Sequence, residues 1–203
     1  EVIVGVVPCA GASKRMGQPK ALLQAHGETF VASAVNALRA GGCDVVFVVV
    51  PADVALKDAA AATGATVLLN PDPGEGPITS LRLVLAAVGG SAEGLVYLPV
   101  DHPLVRSATV ASVIAAARAT GAPLVVPTLQ GDRGHPAYFS SVLFSELADP
   151  DLVGGARTVV HRHIEAATLL AVDDPGIRSD IDTPAAYAAA FGHAAPASDQ
   201  VHA

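Results

Sequence analysis

The chain has 203 residues, a length that suits one domain with a sizeable core. Its formal net charge of −7 argues against a nucleic-acid or anionic-membrane surface. Its 51% hydrophobic content is interrupted by charged or turn residues before any run reaches membrane-spanning length.

In chain order, Val2 to Pro8 is an apolar run that predicts a strand buried on both faces. A loop rich in small and basic residues follows, and then a helix over 28–39 closed by Gly41-Gly42. Asp44 to Val50 is a second apolar strand, 53–62 an Ala-rich helix and 65–69 a short strand. The turn-rich stretch 70–77 leads into a helix over 78–88. A further strand, 94–100, ends in Asp101-His102-Pro103; a helix over 107–120 with Ser107 as cap and a strand over 122–127 follow. Beyond Pro127 the alternation breaks. Residues 128–136 read as a polar loop, 140–147 and 154–163 as short helices, 164–172 as a strand and 185–191 as a last helix.

Alternating strands and helices imply an α/β fold with a mostly parallel sheet covered on both faces. No domain boundary is visible, so residues 1–191 are expected to form one domain and 192–203 a frayed tail. Ligands of such sheets bind outside the carboxyl ends of the strands. The loop after the first strand, the 70–77 stretch and Asp101 all fall at that edge.

The first of these loops, Val6 to Lys20, carries the clearest chemistry. Gly11 and Gly17 let the backbone bend around an anion, amides in such a bend point at phosphate oxygens, and Arg15 and Lys20 add positive charge. It is not a Walker loop, because Lys20 lies between Pro19 and Ala21, and it lacks the three spaced glycines of a dinucleotide fingerprint. Cys9 and Cys43 form no metal motif and read as small core residues of a reducing compartment. With no visible signal peptide, a cytoplasmic location is expected. No nucleophile–base set emerges. His102, His161 and His163 lack the spacing of a metal-binding helix, and the last two read as surface residues.

The run Ala10-Gly11-Ala12-Ser13-Lys14-Arg15-Met16-Gly17-Gln18-Pro19-Lys20 resembles the A-G-x-S-x-R-M-G-x-P-K signature of the MobA-like nucleotidyltransferases. Three later stretches are similar to family elements in the same order: 70–81, L-P-V-D-H-P-L-V over 98–105, and Ile181-Asp182-Thr183-Pro184. The resemblance implies a three-layer Rossmann-like nucleotidyltransferase fold. It also implies a nucleotide site of Ala10, Gly11, Ala12, Ser13, Arg15, Lys20, Gly76 and Ser80, and catalytic roles for Arg15, Lys20 and Asp101. The implied cofactor is Mg²⁺, held by Asp101 and Asp182, with Asp180 the second choice for the latter. On the residues alone, a turn or capping aspartate is the alternative for Asp101, and Asp182 or Thr183 could equally be an N-cap.

Gly134-His135-Pro136, with Arg133 before it, is similar to the R-G-H-P element of the cytidylyl branch, which would place Arg133 and His135 towards the acceptor. The alanine of Ala10-Gly11 accompanies cytidylyl transfer in this family. The expected substrates are therefore CTP and a molybdopterin-type acceptor, with a molybdoenzyme or its chaperone as further partner. Guanylyl transfer, a sugar-phosphate acceptor and a non-catalytic carrier of molybdenum cofactor remain as alternatives.

Overall fold

The computed structural model describes residues 1–9 and 15–196. Its centre is β1 (Val2–Pro8), buried from Ile3 onward. Parallel pairing places Val6 opposite Phe47 of β4 (Val45–Val50) on one side and opposite Tyr97 of β6 (Ala92–Tyr97) on the other. Beyond β4 lies β5 (Thr66–Leu69), also parallel. Because strand side chains alternate between faces, β1 feeds two cores. Ile3 and Val7 join one, with residues of α1 (Phe30–Ala40), α2 (Val54–Ala62), α4 (Ser107–Thr120) and α7 (Pro184–Phe191). Val4 and Val6 join the other, with residues of α3 (Pro77–Val88), α5 (Phe144–Ala148) and α6 (Ala156–His163). The result is a three-layer α/β architecture. Among the described residues no helix is long and apolar enough to cross a membrane.

The strands expected from continuous apolar runs form within one or two residues at most ends. One strand was hidden. Ala137–Ser140 is β9, lying antiparallel between β6 and β7 (Leu124–Leu129), with Val96 opposite Tyr138. The expected polar loop 128–136 is partly a hairpin, since β8 (Asp132–Arg133) pairs back on the end of β7. The last strand, β10 (Thr168–Ala171), is shorter than expected and pairs parallel with β7. The sheet order is β10-β7-β9-β6-β1-β4-β5, with β8 attached to β7.

One helix start and one helix cap differ from expectation, the first for a local reason and the second for a long-range one. Glu28 and Thr29 form β3, which pairs with β2 (Gln24–Ala25), so α1 begins at Phe30. Thr29 caps it by accepting from the Ala32 amide at 3.2 Å. Ser107 does not cap α4. Instead the Asp174 carboxylate, contributed from far along the chain, accepts from the Arg106 amide at 3.0 Å and the Thr109 hydroxyl at 2.6 Å. Asp174 is buried and also accepts from the Gly176 amide at 2.9 Å, which closes the turn 175–178 onto α4.

Cys9 and Cys43 are both buried free thiols. Burial pushes each up to about 12, as expected of core residues rather than reactive thiols.

Candidate active site

Lys20 enters the site because Pro19 starts a single helical turn, 20–22, in the segment that follows β1. Asp101 lies four residues past the end of β6, whose extension stays on β1 through Leu98 N–H to Val6 carbonyl at 3.0 Å. The segment with Asp182 is drawn to the same place by the Ile181 amide, which donates to the Asp101 carbonyl at 2.8 Å. Three parts of the chain thus meet at one point, and their side chains engage. The Lys20 ammonium hydrogen-bonds Asp182 Oδ1 and lies 3.5 Å from Asp101 Oδ2. Arg15 Nη2 is 3.9 Å from Asp182 Oδ2, with its side chain largely exposed.

The capping alternative for Asp182 is resolved by its neighbour. Thr183 Oγ1 accepts from the Ala186 amide at 3.1 Å and caps α7, which leaves the Asp182 carboxylate to Lys20. Asp101 is not a cap either. Its Oδ1 is 2.9 Å from His102 Nδ1. Burial alone would raise the Asp101 carboxyl. The His102 hydrogen bond and charge, with the Lys20 ammonium, outweigh it and hold the group at about 2.

Asp101 opens onto a cleft of 1230 Å³ that Gly76, His102, Arg133, His135 and Asp180 also line. Gly76 has φ of +90° and nothing within 4 Å of where a Cβ would stand, so its backbone faces open space. Ser80, expected at the nucleotide, does not line the cleft. It is fully buried, and its Oγ accepts from Asn70 Nδ2 at 3.1 Å. Asn70 bonds Thr79 Oγ1 at 2.8 Å as well, and its own Oδ1 accepts from the Asp72 amide at 2.9 Å. Ser80 therefore holds the 70–77 loop in shape. Ala10, Gly11, Ala12 and Ser13 lie outside the described residues.

His135 packs against His102 with ring centroids 4.7 Å apart and against Tyr97 at 6.1 Å. Burial first, then the neighbouring His102, pushes its imidazole down to about 4, so it is neutral near pH 7. Its Nδ1 is buried with no hydrogen-bond partner among the described residues. Sequence reasoning missed the His102–Asp101 and His102–His135 contacts, since a search for helical spacing tests none of these pairs.

Arginines gather along the same cleft: Arg82, Arg133, Arg157 and Arg178. Arg178 pairs with Asp132 at 2.7 Å, and Arg82 donates to the Asp149 carbonyl at 2.6 Å. Arg133 and Arg157 have no ion-pair partner among the described residues. The arrangement can receive a molecule with several negative charges. Among the described residues no group of three or more His, Cys, Asp or Glu is placed to hold a metal.

Comparison with known proteins agrees with this geometry: residues 5–167 match the MobA-like NTP transferase domain. The chain belongs to that family. Phosphoenolpyruvate guanylyltransferase of Mycolicibacterium paratuberculosis is 37% identical over 146 residues, which are 70% of this chain and 63% of that protein's length. The protein of that name from Mycobacterium leprae is 31% identical over 200 residues, covering 93% of this chain and 87% of its own. A probable molybdenum cofactor guanylyltransferase of Opitutus terrae is 31% identical over 107 residues, about half of each chain (52% and 51%). Among solved structures, Rv0371c from Mycobacterium tuberculosis superposes with a TM-score of 0.82 at 32% identity, covering 95% of this chain and 98% of that one. A structure of Rv0371c in complex with manganese gives 0.78 at 30% identity, over 95% and 99% of the two chains. Nucleotidyl transfer is thus the chemistry of this family, on a Rossmann-like sheet.

Proposed function

We propose that this protein transfers a guanylyl group from GTP to the phosphate of a small phosphorylated carboxylic acid, phosphoenolpyruvate being the first choice, with release of pyrophosphate. The observation that carries the transferase reading is the meeting of Lys20, Asp101 and Asp182, with Asp101 opening onto an arginine-lined cleft. The relatives named above support the donor and acceptor. They favour guanylyl over the cytidylyl transfer suggested by Ala10, and a phosphorylated acid over the molybdopterin-type acceptor. Arg133 and Arg157 suit an acceptor with a carboxylate besides its phosphate.

In this reading an acceptor phosphate oxygen attacks the α-phosphorus in line as the bond to the β-phosphate oxygen breaks, and pyrophosphate leaves with that electron pair. The chain contributes position and charge rather than a covalent step. Arg15 and the loop before it hold the β- and γ-phosphates, Lys20 neutralises the α-phosphate, and Arg133 and His135 face the acceptor. The donor set fits a hard divalent cation: two carboxylates brought within reach of one ammonium, with the remaining ligands left to substrate oxygens and water. Asp101 and Asp182 would hold Mg²⁺ or Mn²⁺, whose chemistry there is to offset the triphosphate charge. Asp180, which lines the cleft, is the alternative to Asp182.

The test is pyrophosphate release with GTP or CTP, each with phosphoenolpyruvate or molybdopterin, in Mg²⁺ and in Mn²⁺. Release with GTP and phosphoenolpyruvate is expected. Release confined to CTP and molybdopterin would restore the cytidylyl reading. Binding of nucleotide without turnover on any acceptor would make the protein a carrier.

A further inference from the structure

The two oxygens of Asp101 have different neighbours. Oδ1 is held by His102 at 2.9 Å, and Oδ2 faces Lys20 at 3.5 Å. The same ammonium hydrogen-bonds Asp182 Oδ1. It therefore stands between the two carboxylates proposed as metal ligands. An ammonium and a divalent cation cannot share that position, since both are positive and need the same oxygens. Without either, two partly buried carboxylates would repel each other.

Lys20 is also able to leave. Its charge is compact and its four-carbon stem flexible, and it follows the phosphate loop directly, so a bound triphosphate offers the ammonium a second anionic partner close by. Asp101 is less free to follow, because His102 is buried and anchored through its amide to the Pro99 carbonyl at 3.1 Å.

We infer that Lys20 is the internal counter-ion of the metal site. In the nucleotide-free protein it holds Asp101 and Asp182 and excludes a divalent cation, and binding of the triphosphate draws it away and opens the site. His102 is a positioning residue that keeps Asp101 aimed at the vacated place. Metal and nucleotide binding are then coupled, each strengthening the other by the same factor. This inference rests on the reading of Asp101 and Asp182 as metal ligands.

The experiment is a manganese titration of the full chain without nucleotide, following the free Mn²⁺ signal by electron paramagnetic resonance. Lys20→Met is expected to bind Mn²⁺ at least tenfold more tightly than the wild type, and Lys20→Gln to move in the same direction. Adding His102→Ala to Lys20→Met is expected to lose most of that gain, and His102→Asn, which keeps a donor, to recover part of it. Thermal melting in the absence of metal checks that each variant is folded. Equal or weaker binding by both Lys20 variants, including no binding by any protein, would overturn the inference. If Lys20→Met gains affinity but adding Asp182→Asn leaves that affinity unchanged, the ligand assignment itself falls.

Discussion

Asp101 and His135 lie close together at the cleft yet depart from their ordinary pKa values for different reasons. Asp101 is ionised because His102 and Lys20 compensate its burial, so its role is to stay charged. In the proposed reaction, removing it or Lys20 would take away electrostatic stabilisation of the kind that contributes about 2.7–4 kcal/mol to a barrier. Lys20→Ala and Asp101→Ala are expected to melt cooperatively and to lose at least about a hundredfold in turnover. Wild-type rates in either variant would refute the assignment. His135 is neutral because burial opposes its charge, and its folded pKa of about 4 lies below the ordinary 6.5. The unfolded chain therefore binds more protons between those values. Stability from this group is complete above about pH 6.5 and is lost as pH falls towards about 4. Urea unfolding of the wild type and of His135→Gln across this range should show a steeper acid loss in the wild type. Parallel curves would contradict it.

The elements most legible in the sequence were those with the simplest burial. β1, β4 and β6 are continuous apolar runs because both faces of the sheet are covered, and the ends of β1 and β6 bring Cys9 and Asp101 to one edge. β9 escaped notice because it is four residues long, follows Pro136 and runs into Ser140-Ser141, a context that reads as loop. The capping of α4 was illegible for a different reason: Asp174 is 68 residues from Arg106, and no local pattern announces such a partner. Lys20, Asp101 and Asp182 could be named from motifs, whereas the burial of Ser80 behind Asn70 depends on how α3 turns against the sheet. The Asp174 knot gives an element-scale prediction. Asp174→Ala leaves the Arg106 amide, the Thr109 hydroxyl and the Gly176 amide without their acceptor, and should cost about 2–4 kcal/mol. Gly176→Ala should destabilise by about 1–3 kcal/mol, because a Cβ there would strike the Leu104 carbonyl. Denaturant midpoints measure both, and an unchanged midpoint would rule out a structural role for the turn.

Across the whole molecule, the carboxyl-terminal helix closes back on the region that carries Lys20. Tyr187 is fully buried, stacks on Phe30 with centroids 6.2 Å apart, and donates to the Gln24 carbonyl at 2.7 Å. Residues 192–196 continue that packing, with His193 edge-on to Tyr187 and Ala195 against the core. Tyr187→Phe should cost about 1 kcal/mol and Tyr187→Ala about 3–5 kcal/mol. Equal losses in calorimetry would show that the hydroxyl, not the ring, matters. The position of β9 has a further consequence, which concerns the order of synthesis. Residues 2–97 can assemble β1, β4, β5 and β6 as soon as they leave the ribosome, but the partner on the far side of β6 is not made until residue 140. Through that interval Leu95 and Val96 sit on an unpaired strand edge, open to any other extended chain. A chain that ends before Ala137 lacks the strand that covers β6 and would present a half-sheet prone to self-association, whereas a chain with residues 137–140 free of the ribosome has no such edge at β6.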